Sequence, residues 1–487
     1  MILEIKKVLS TKLCSNKMAP VKHTVLSILV VFVCILPLQL QSQRRAITER
    51  FPEDLKQTSD SEDRLDLWYR DAKFGAFIHF GVYSMLAGAY NGKVADGEYS
   101  EWIRRRLLIS PDEYHKVSAQ FNPVEFDADE WVKVFKNSGM KYVVITSKHH
   151  DGFALYKSMV SQYNIVDYTP FKRDVIKELS EACKREGLKF GVYYSHAKDW
   201  DEPDATDLNF EITKKLHPNL PEDFTPDLDR YIAKKSLPQV EELVKNYELD
   251  MIWFDTPHGM NSERAKLFSD MVWKYRPNCL INSRILYRAN DEVLQKDLAY
   301  FDFASLRDKE VPRKKTTIYL ESPDCVSSTY GYKKYGKVEY HSPKEMIDRL
   351  VHTVCNEGNY LLNNGPMGNG KLDPEPIRLY GIIGDWMKVN GESIYNTRSN
   401  PFDENPEWGD ISVSKDGKTL YLHILEWPES GEISVANFTA KVKNVTYLAN
   451  KAKASFVLKR AMFKVTLDAA PLDEYNTVIK VLLKNNY

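Results

Sequence analysis

The sequence predicts an α/β protein: a (β/α) barrel of the TIM type followed by a small C-terminal antiparallel β-sandwich. Three observations lead there. Short apolar runs alternate with long amphipathic segments from about residue 70 to about residue 390. Polar and charged side chains gather at the C-terminal ends of those runs. Beyond Asn390-Gly391 the pattern changes to strict alternation, with no helical period.

The runs are Phe74–Tyr83, Tyr142–Lys148, Phe190–Ser195, Met251–Asp255, Cys279–Arg284, Thr317–Glu321 and Tyr360–Asn364. Their continuous apolar character is that of parallel strands covered on both faces. Helical patterns lie between them, as in Val175–Glu186, Val240–Lys245, Ala265–Tyr275 and Lys344–Cys355. Gly139, Gly187 and Pro277 stand where helices must stop before the next strand. Repetition over about 300 residues favours a closed barrel above an open doubly wound sheet. In the C-terminal part, Asp410–Leu425 alternates around an Asp416-Gly417 turn, a strong hairpin signal. Strand-like stretches follow at Glu432–Val435, Ala454–Leu458 and Phe463–Leu467.

Composition bounds the class. Of 487 residues, 43% are apolar and 28% charged, which excludes wholesale disorder. A net charge of −1 with no long basic run offers nothing to nucleic acid. Lys17 and Lys22 precede an apolar run from Val25 to Leu38, and polar Gln-rich sequence follows. That is the pattern of a signal peptide, shorter than the roughly 20 residues that span a bilayer. Residues 1–43 are therefore expected to be removed, with Met18 an alternative start, and no membrane span is expected to remain. Residues 44–395 are then the catalytic barrel and 396–487 the sandwich. Removal brings the net charge to about −5. Cys183, Cys279, Cys325 and Cys355 remain, too few for a disulfide scaffold, and their pairing stays open. Sequons at Asn437 and Asn444 fit passage through the secretory pathway, secreted or lysosomal.

The strand ends carry the chemistry. His79, His149-His150-Asp151, Tyr193-Tyr194, Asp255, Arg284, Glu321 and Asn363-Asn364 each close a run. In a barrel these ends converge on one mouth, where active sites are built. A lone His or Asp at a strand end is usually structural, but seven coincident ends are hard to dismiss. Asp255 and Glu321 come from different strands. No zinc-type Cys/His spacing, Gly-rich phosphate loop or nucleophile-elbow serine accompanies them, so no cofactor or metal is expected. Paired carboxylates are what glycosidic bond cleavage needs: one attacks or activates water, the other protonates the leaving oxygen.

Phe77-Ile78-His79-Phe80-Gly81, Glu101-Trp102, Lys148-His149-His150-Asp151-Gly152-Phe153, Tyr193-Tyr194-Ser195, Asp250–Asp255 and Tyr360–Pro366 occur in that order. Together they resemble the α-L-fucosidases of glycoside hydrolase family 29, over roughly residues 48 to 395. The resemblance implies a retaining exo-glycosidase that removes terminal α-L-fucose from glycans, with Asp255 as nucleophile. It implies Glu321 as acid/base, since Leu320-Glu321 precedes Tyr330-Gly331-Tyr332 where the family has Trp-Glu before Trp-Gly-Tyr. His79, Glu101, Trp102, His149, His150, Tyr194 and Arg284 would line the fucose pocket. Asp151 would orient an imidazole, and Asn363 and Asn364 would support the mouth. The family usually continues Asp-Gly where this chain has Asp255-Thr256-Pro257. Those departures keep a catalytically dead fucose-binding protein open as an alternative, beside a hydrolase for another sugar. The resemblance also makes a homo-oligomer an expectation.

Overall fold

Eight parallel strands wrap around an apolar core: β1 (Phe74–Ile78), β2 (Tyr142–Lys148), β3 (Lys189–Tyr194), β4 (Met251–Phe254), β5 (Leu280–Ile281), β6 (Ala304–Ser305), β7 (Leu320–Cys325) and β8 (Gly358–Asn364). They pair in the order β5-β4-β3-β2-β1-β8-β7-β6. A parallel bridge between Asn282 and Phe303 then joins β5 to β6 and closes the barrel. The computed structural model describes residues 50–205, 210–288 and 291–487, so the expected signal segment lies outside the described residues. Residues from Phe51 onward form one compact unit.

Helices α1 (Ala128–Asn137), α2 (Val175–Glu186), α3 (Leu237–Asn246), α4 (Ser262–Tyr275) and α5 (Pro343–Cys355) return the chain between strands, and α6 (Pro374–Asn390) follows β8. Most of their starts are capped by side chains. Asp127, Asp174 and Asn261 each accept a backbone N–H of the first turn, and Ser342 forms a capping box with Glu345. Gly187 ends α2 in the left-handed region at φ 73°, as its sequence position predicts. Among the described residues, only short 3-10 turns connect β5 to β6. Strand β6 has just two residues, which is why it leaves no run in the sequence.

Beyond α6 come β9 (Thr397–Arg398), β10 (Gly409–Ser414), β11 (Thr419–Ile424), β12 (Glu432–Val435), β13 (Val442–Tyr447), β14 (Ser455–Lys459), β15 (Met462–Thr466) and β16 (Thr477–Leu483). They make an antiparallel sheet ordered β9-β10-β11-β16-β13 and a smaller one ordered β12-β15-β14. Both sheets contribute to one apolar core that includes Leu422, Phe438, Phe463 and Ile479. Asn437 and Asn444 are exposed on this sandwich. All four described cysteines are free, buried thiols.

Glu321 departs from its expected place. The run Thr317–Glu321 was expected to end a strand, but β7 begins at Leu320 and runs on through Pro323 to Cys325. Glu321 therefore lies near the start of its strand, fully buried in the barrel core. Its Oε2 accepts from Tyr69 at 2.5 Å and from Tyr142 at 3.3 Å, and its Oε1 accepts from Trp253 Nε1 at 2.6 Å. Burial raises its carboxyl from the ordinary range to about 7, against the lowering effect of those three donors. Tyr142 fits beside it because Gly75 has no side chain: a Cβ there would meet the Tyr142 ring at 2.3 Å.

Two consequences are testable. Gly75→Ala should destabilise the protein by at least about 2 kcal/mol in denaturant unfolding, since a ring packed on several sides has nowhere to go. For Glu321, the folded protein holds a proton that the unfolded chain releases near pH 4.5, so its contribution is full below that value. It is lost as pH rises toward about 7 and is flat above. The stability of the parent relative to Glu321→Gln should accordingly fall across that window; a pH-independent difference would contradict the assignment.

Candidate active site

Asp255 is the first residue beyond β4, and its carboxylate is mostly buried, with 13% of the side chain exposed. Its Oδ1 accepts from Arg284 Nη1 at 2.9 Å and its Oδ2 from the Tyr193 hydroxyl at 2.9 Å. Both oxygens are thereby fixed in direction. Arg284 belongs to the 3-10 turn Ser283–Ile285 just after β5. Its guanidinium lies over the Trp253 ring at 4.9 Å, and its Nη2 donates to Asp308 Oδ1 at 2.7 Å and to the Leu306 carbonyl at 2.8 Å. Burial works against the cation, but Asp308 and Asp255 together raise its pKa above the ordinary arginine value. One planar fork thus holds two carboxylates, which reach it from the ends of β4 and β6.

Three imidazoles stand beside this pair. His79 follows β1 and contacts Asn363 Oδ1 through Nδ1 at 2.7 Å; burial lowers it to about 4. His149 and His150 follow β2 with their rings 4.2 Å apart, and burial pushes both well below the ordinary histidine range. His149 Nδ1 is buried without a hydrogen-bond partner among the described residues. His150 Nε2 is 3.8 Å from Asp255 Oδ2. At neutral pH all three rings are uncharged, so they can exchange hydrogen bonds with hydroxyls without pairing as cations with Asp255.

Trp102 and Trp200 meet edge to face at 5.3 Å, and Trp102 also meets His150 at 5.2 Å. They form the apolar side of the group. Glu101, on the 3-10 turn Ser100–Trp102, is buried; its Oε2 accepts from the Gly331 amide at 2.8 Å and from Thr329 at 3.4 Å. Burial pushes its carboxyl up to about 7.

The expected set is therefore brought together at His79, His149, His150, Trp102, Asp255 and Arg284, while Glu321 lies in the core below. Tyr194 also departs: its hydroxyl donates to Gln239 on α3, on the outer face of the barrel, and Tyr193 is the tyrosine that turns inward to Asp255. Adjacent strand residues point to opposite faces, and in a run buried on both sides the sequence does not show which is which. Asp151 binds the Tyr114 hydroxyl at 2.9 Å instead of an imidazole, and Asn363 is the residue that orients one. Asn364 donates to Tyr380 at 3.3 Å, behind the mouth. Asp308 has no signal in the sequence, because the strand before it is only two residues long.

Thr256, directly after Asp255, sits at φ 45°. A β-branched residue in the left-handed region, followed by proline, costs on the order of 1–3 kcal/mol. Its hydroxyl lies 3.5 Å from His150 Nδ1, so the residue after Asp255 reaches the back of that imidazole.

Comparison with known proteins agrees with this architecture. The family profile of alpha-L-fucosidase matches residues 38–392. Human plasma alpha-L-fucosidase is 30% identical over 386 residues, covering 76% of this chain and 78% of that protein. Among solved structures, alpha-L-fucosidase isoenzyme 1 from Paenibacillus thiaminolyticus superposes with a TM-score of 0.76 at 31% identity, covering 88% of this chain and all of the other. A GH29 alpha-L-fucosidase from Bacteroides thetaiotaomicron, trapped as a covalent intermediate with 2-fluoro-fucosyl fluoride, has a TM-score of 0.75 at 27% identity, covering 91% and 100%. A barrel of this topology, with paired carboxylates at its mouth and a profile match over most of its length, places the chain in the alpha-L-fucosidase family of glycoside hydrolases, family 29.

Proposed function

We propose that the protein removes terminal α-L-fucose from glycans with retention of configuration, Asp255 being the nucleophile and Asp308 the acid/base. The observation that carries this reading is the shared guanidinium. Arg284 Nη1 donates to Asp255 Oδ1 and Nη2 to Asp308 Oδ1, so both carboxyl groups face one guanidinium and lie within reach of one bound sugar. A retaining pair works at about 5–5.5 Å. Asp308 thus takes the role expected of Glu321, whose two oxygens are covered by Trp253 and two tyrosines in the core.

In the first step an Asp255 oxygen bonds to the anomeric carbon as the glycosidic C–O bond breaks, and Asp308, which has to take up a proton before this step, passes it to the departing oxygen. In the second, Asp308 takes a proton from water, whose oxygen bonds to the anomeric carbon and releases Asp255. Esterification removes the charge of Asp255, which leaves Arg284 to stabilise the Asp308 carboxylate, the form that activates water. Tyr193 remains as a donor to the released carboxylate.

Fucose presents three hydroxyls and a methyl group. The neutral His79, His149 and His150, with Glu101, supply hydroxyl partners, and the Trp102–Trp200 edge supplies the apolar contact. A hydroxyl specificity built from buried polar groups is strong, because an analogue lacking one hydroxyl leaves protein groups unpaired. The signal-like segment at residues 1–43 and the exposed sequons at Asn437 and Asn444 support passage through the secretory pathway, to the exterior or the lysosome. The sandwich, residues 396–487, is a support without convergent titratable groups.

Release of fucose from a chromogenic aryl fucoside tests the reading; binding without turnover would favour a fucose-binding protein. Asp255→Gly should nearly abolish turnover, and azide should restore part of it as fucosyl azide of inverted anomeric configuration. A normal rate in that variant would exclude the nucleophile role. Asp308→Ala should slow a substrate with a poor leaving group by about 100-fold or more, and an activated aryl fucoside by less than about tenfold. Equal losses on both substrates would remove Asp308 from the acid role.

A further inference from the structure

The hydrogen bonds behind His150 determine which of its nitrogens faces the site. Ser195 follows β3 directly and is fully buried. Its hydroxyl lies 2.7 Å from the Lys198 carbonyl, which has no proton to give, so the single Ser195 proton points there. The same oxygen is 2.6 Å from His150 Nδ1. With the hydroxyl proton directed away, that short contact requires a proton on Nδ1. Thr256 Oγ1, at 3.5 Å, adds a second and weaker acceptor on the same side.

The other nitrogen is then bare. His150 is neutral, held so first by burial and then by His149, Lys198, Lys148 and His79 around it. Nε2 has Asp255 Oδ2 at 3.8 Å and the Tyr193 hydroxyl at 3.5 Å. The carboxylate has nothing to donate, and the Tyr193 proton follows its shorter 2.9 Å contact to Asp255. A buried nitrogen lone pair therefore faces the space beside the nucleophile.

We propose that Ser195 is a positioning residue that sets the tautomer of His150, so that Nε2 meets substrate as a hydrogen-bond acceptor for one sugar hydroxyl. This rests on the fucosidase reading for its substrate but not for its tautomer. In the opposite tautomer, Nε2–H would turn toward Asp255 and offer that hydroxyl a donor where it needs an acceptor. Ser195 thereby acts on specificity through the imidazole, without touching the reacting atoms.

Nitrogen-15 histidine spectra of the full-length protein read the tautomer directly. The parent should show His150 protonated at Nδ1 and bare at Nε2; a proton on Nε2 would overturn the proposal. Ser195→Ala should shift the ring toward the Nε2–H form, with the melting temperature unchanged within about 2 °C. For an aryl fucoside, KM should rise about tenfold while kcat stays within about threefold. Ser195→Thr, which keeps a hydroxyl, should recover most of the loss. Among the three monodeoxy aryl fucosides, one should show no Ser195→Ala penalty, because it lacks the hydroxyl that His150 accepts. An unchanged KM, or an equal penalty on all three, would overturn the role. A parent without fucosidase activity would sink the functional reading, and the spectra would still decide the tautomer.

Discussion

Everything at the mouth of this barrel depends on where Arg284 is held. Its guanidinium rests on the face of Trp253 and distributes its N–H groups to Asp255, Asp308 and the Leu306 carbonyl. This partly buried cation is compensated by two carboxylates, both bound to its rigid fork. The indole beneath is itself pinned: Trp253 Nε1 donates to Glu321. Glu321 thus belongs to the chain of contacts beneath Asp255, Arg284 and Asp308, one layer below the mouth. Its own support, from Tyr69 and Tyr142, reaches down to the base of the core.

The second constraint is desolvation. Burial keeps His79, His149 and His150 uncharged, and it raises Glu101 and Glu321 toward neutrality. The barrel therefore carries polar groups inward without a matching load of buried charge. At the mouth Asp255, Arg284 and Asp308 form one charged group, while Lys198 lies over the Trp102 ring at 4.9 Å. Neutral imidazoles beside a compact charged group suit the hydrolysis proposed above.

Much of this was legible in the sequence, and the exceptions have physical reasons. Strands such as Tyr142–Lys148 and Met251–Phe254 announce themselves by apolar runs, and the Asp416-Gly417 hairpin by its turn residues. Strand β6 has two residues and no periodicity, so Asp308 after it went unseen. Strand β7 contains Ser322, Pro323 and Asp324, which look like loop, so the apolar run before Glu321 resembles a whole strand although Glu321 lies near the start of β7. Tyr193 and Tyr194 differ only in parity, which a strand apolar on both faces does not reveal. Residues at the ends of long strands are legible from the apolar runs, whereas those set by strand phase or by short strands leave no pattern in the sequence.

The central claim, that the carboxylate fixed by Arg284 and Tyr193 attacks the sugar, is tested most directly by trapping. A 2-fluoro-fucosyl fluoride reacted with the protein, followed by proteolysis and mass spectrometry, should leave one fucosyl group per chain, on the peptide and side chain of Asp255. A label on any other carboxylate, or steady turnover of aryl fucosides with no label accumulating on Asp255, would contradict the account.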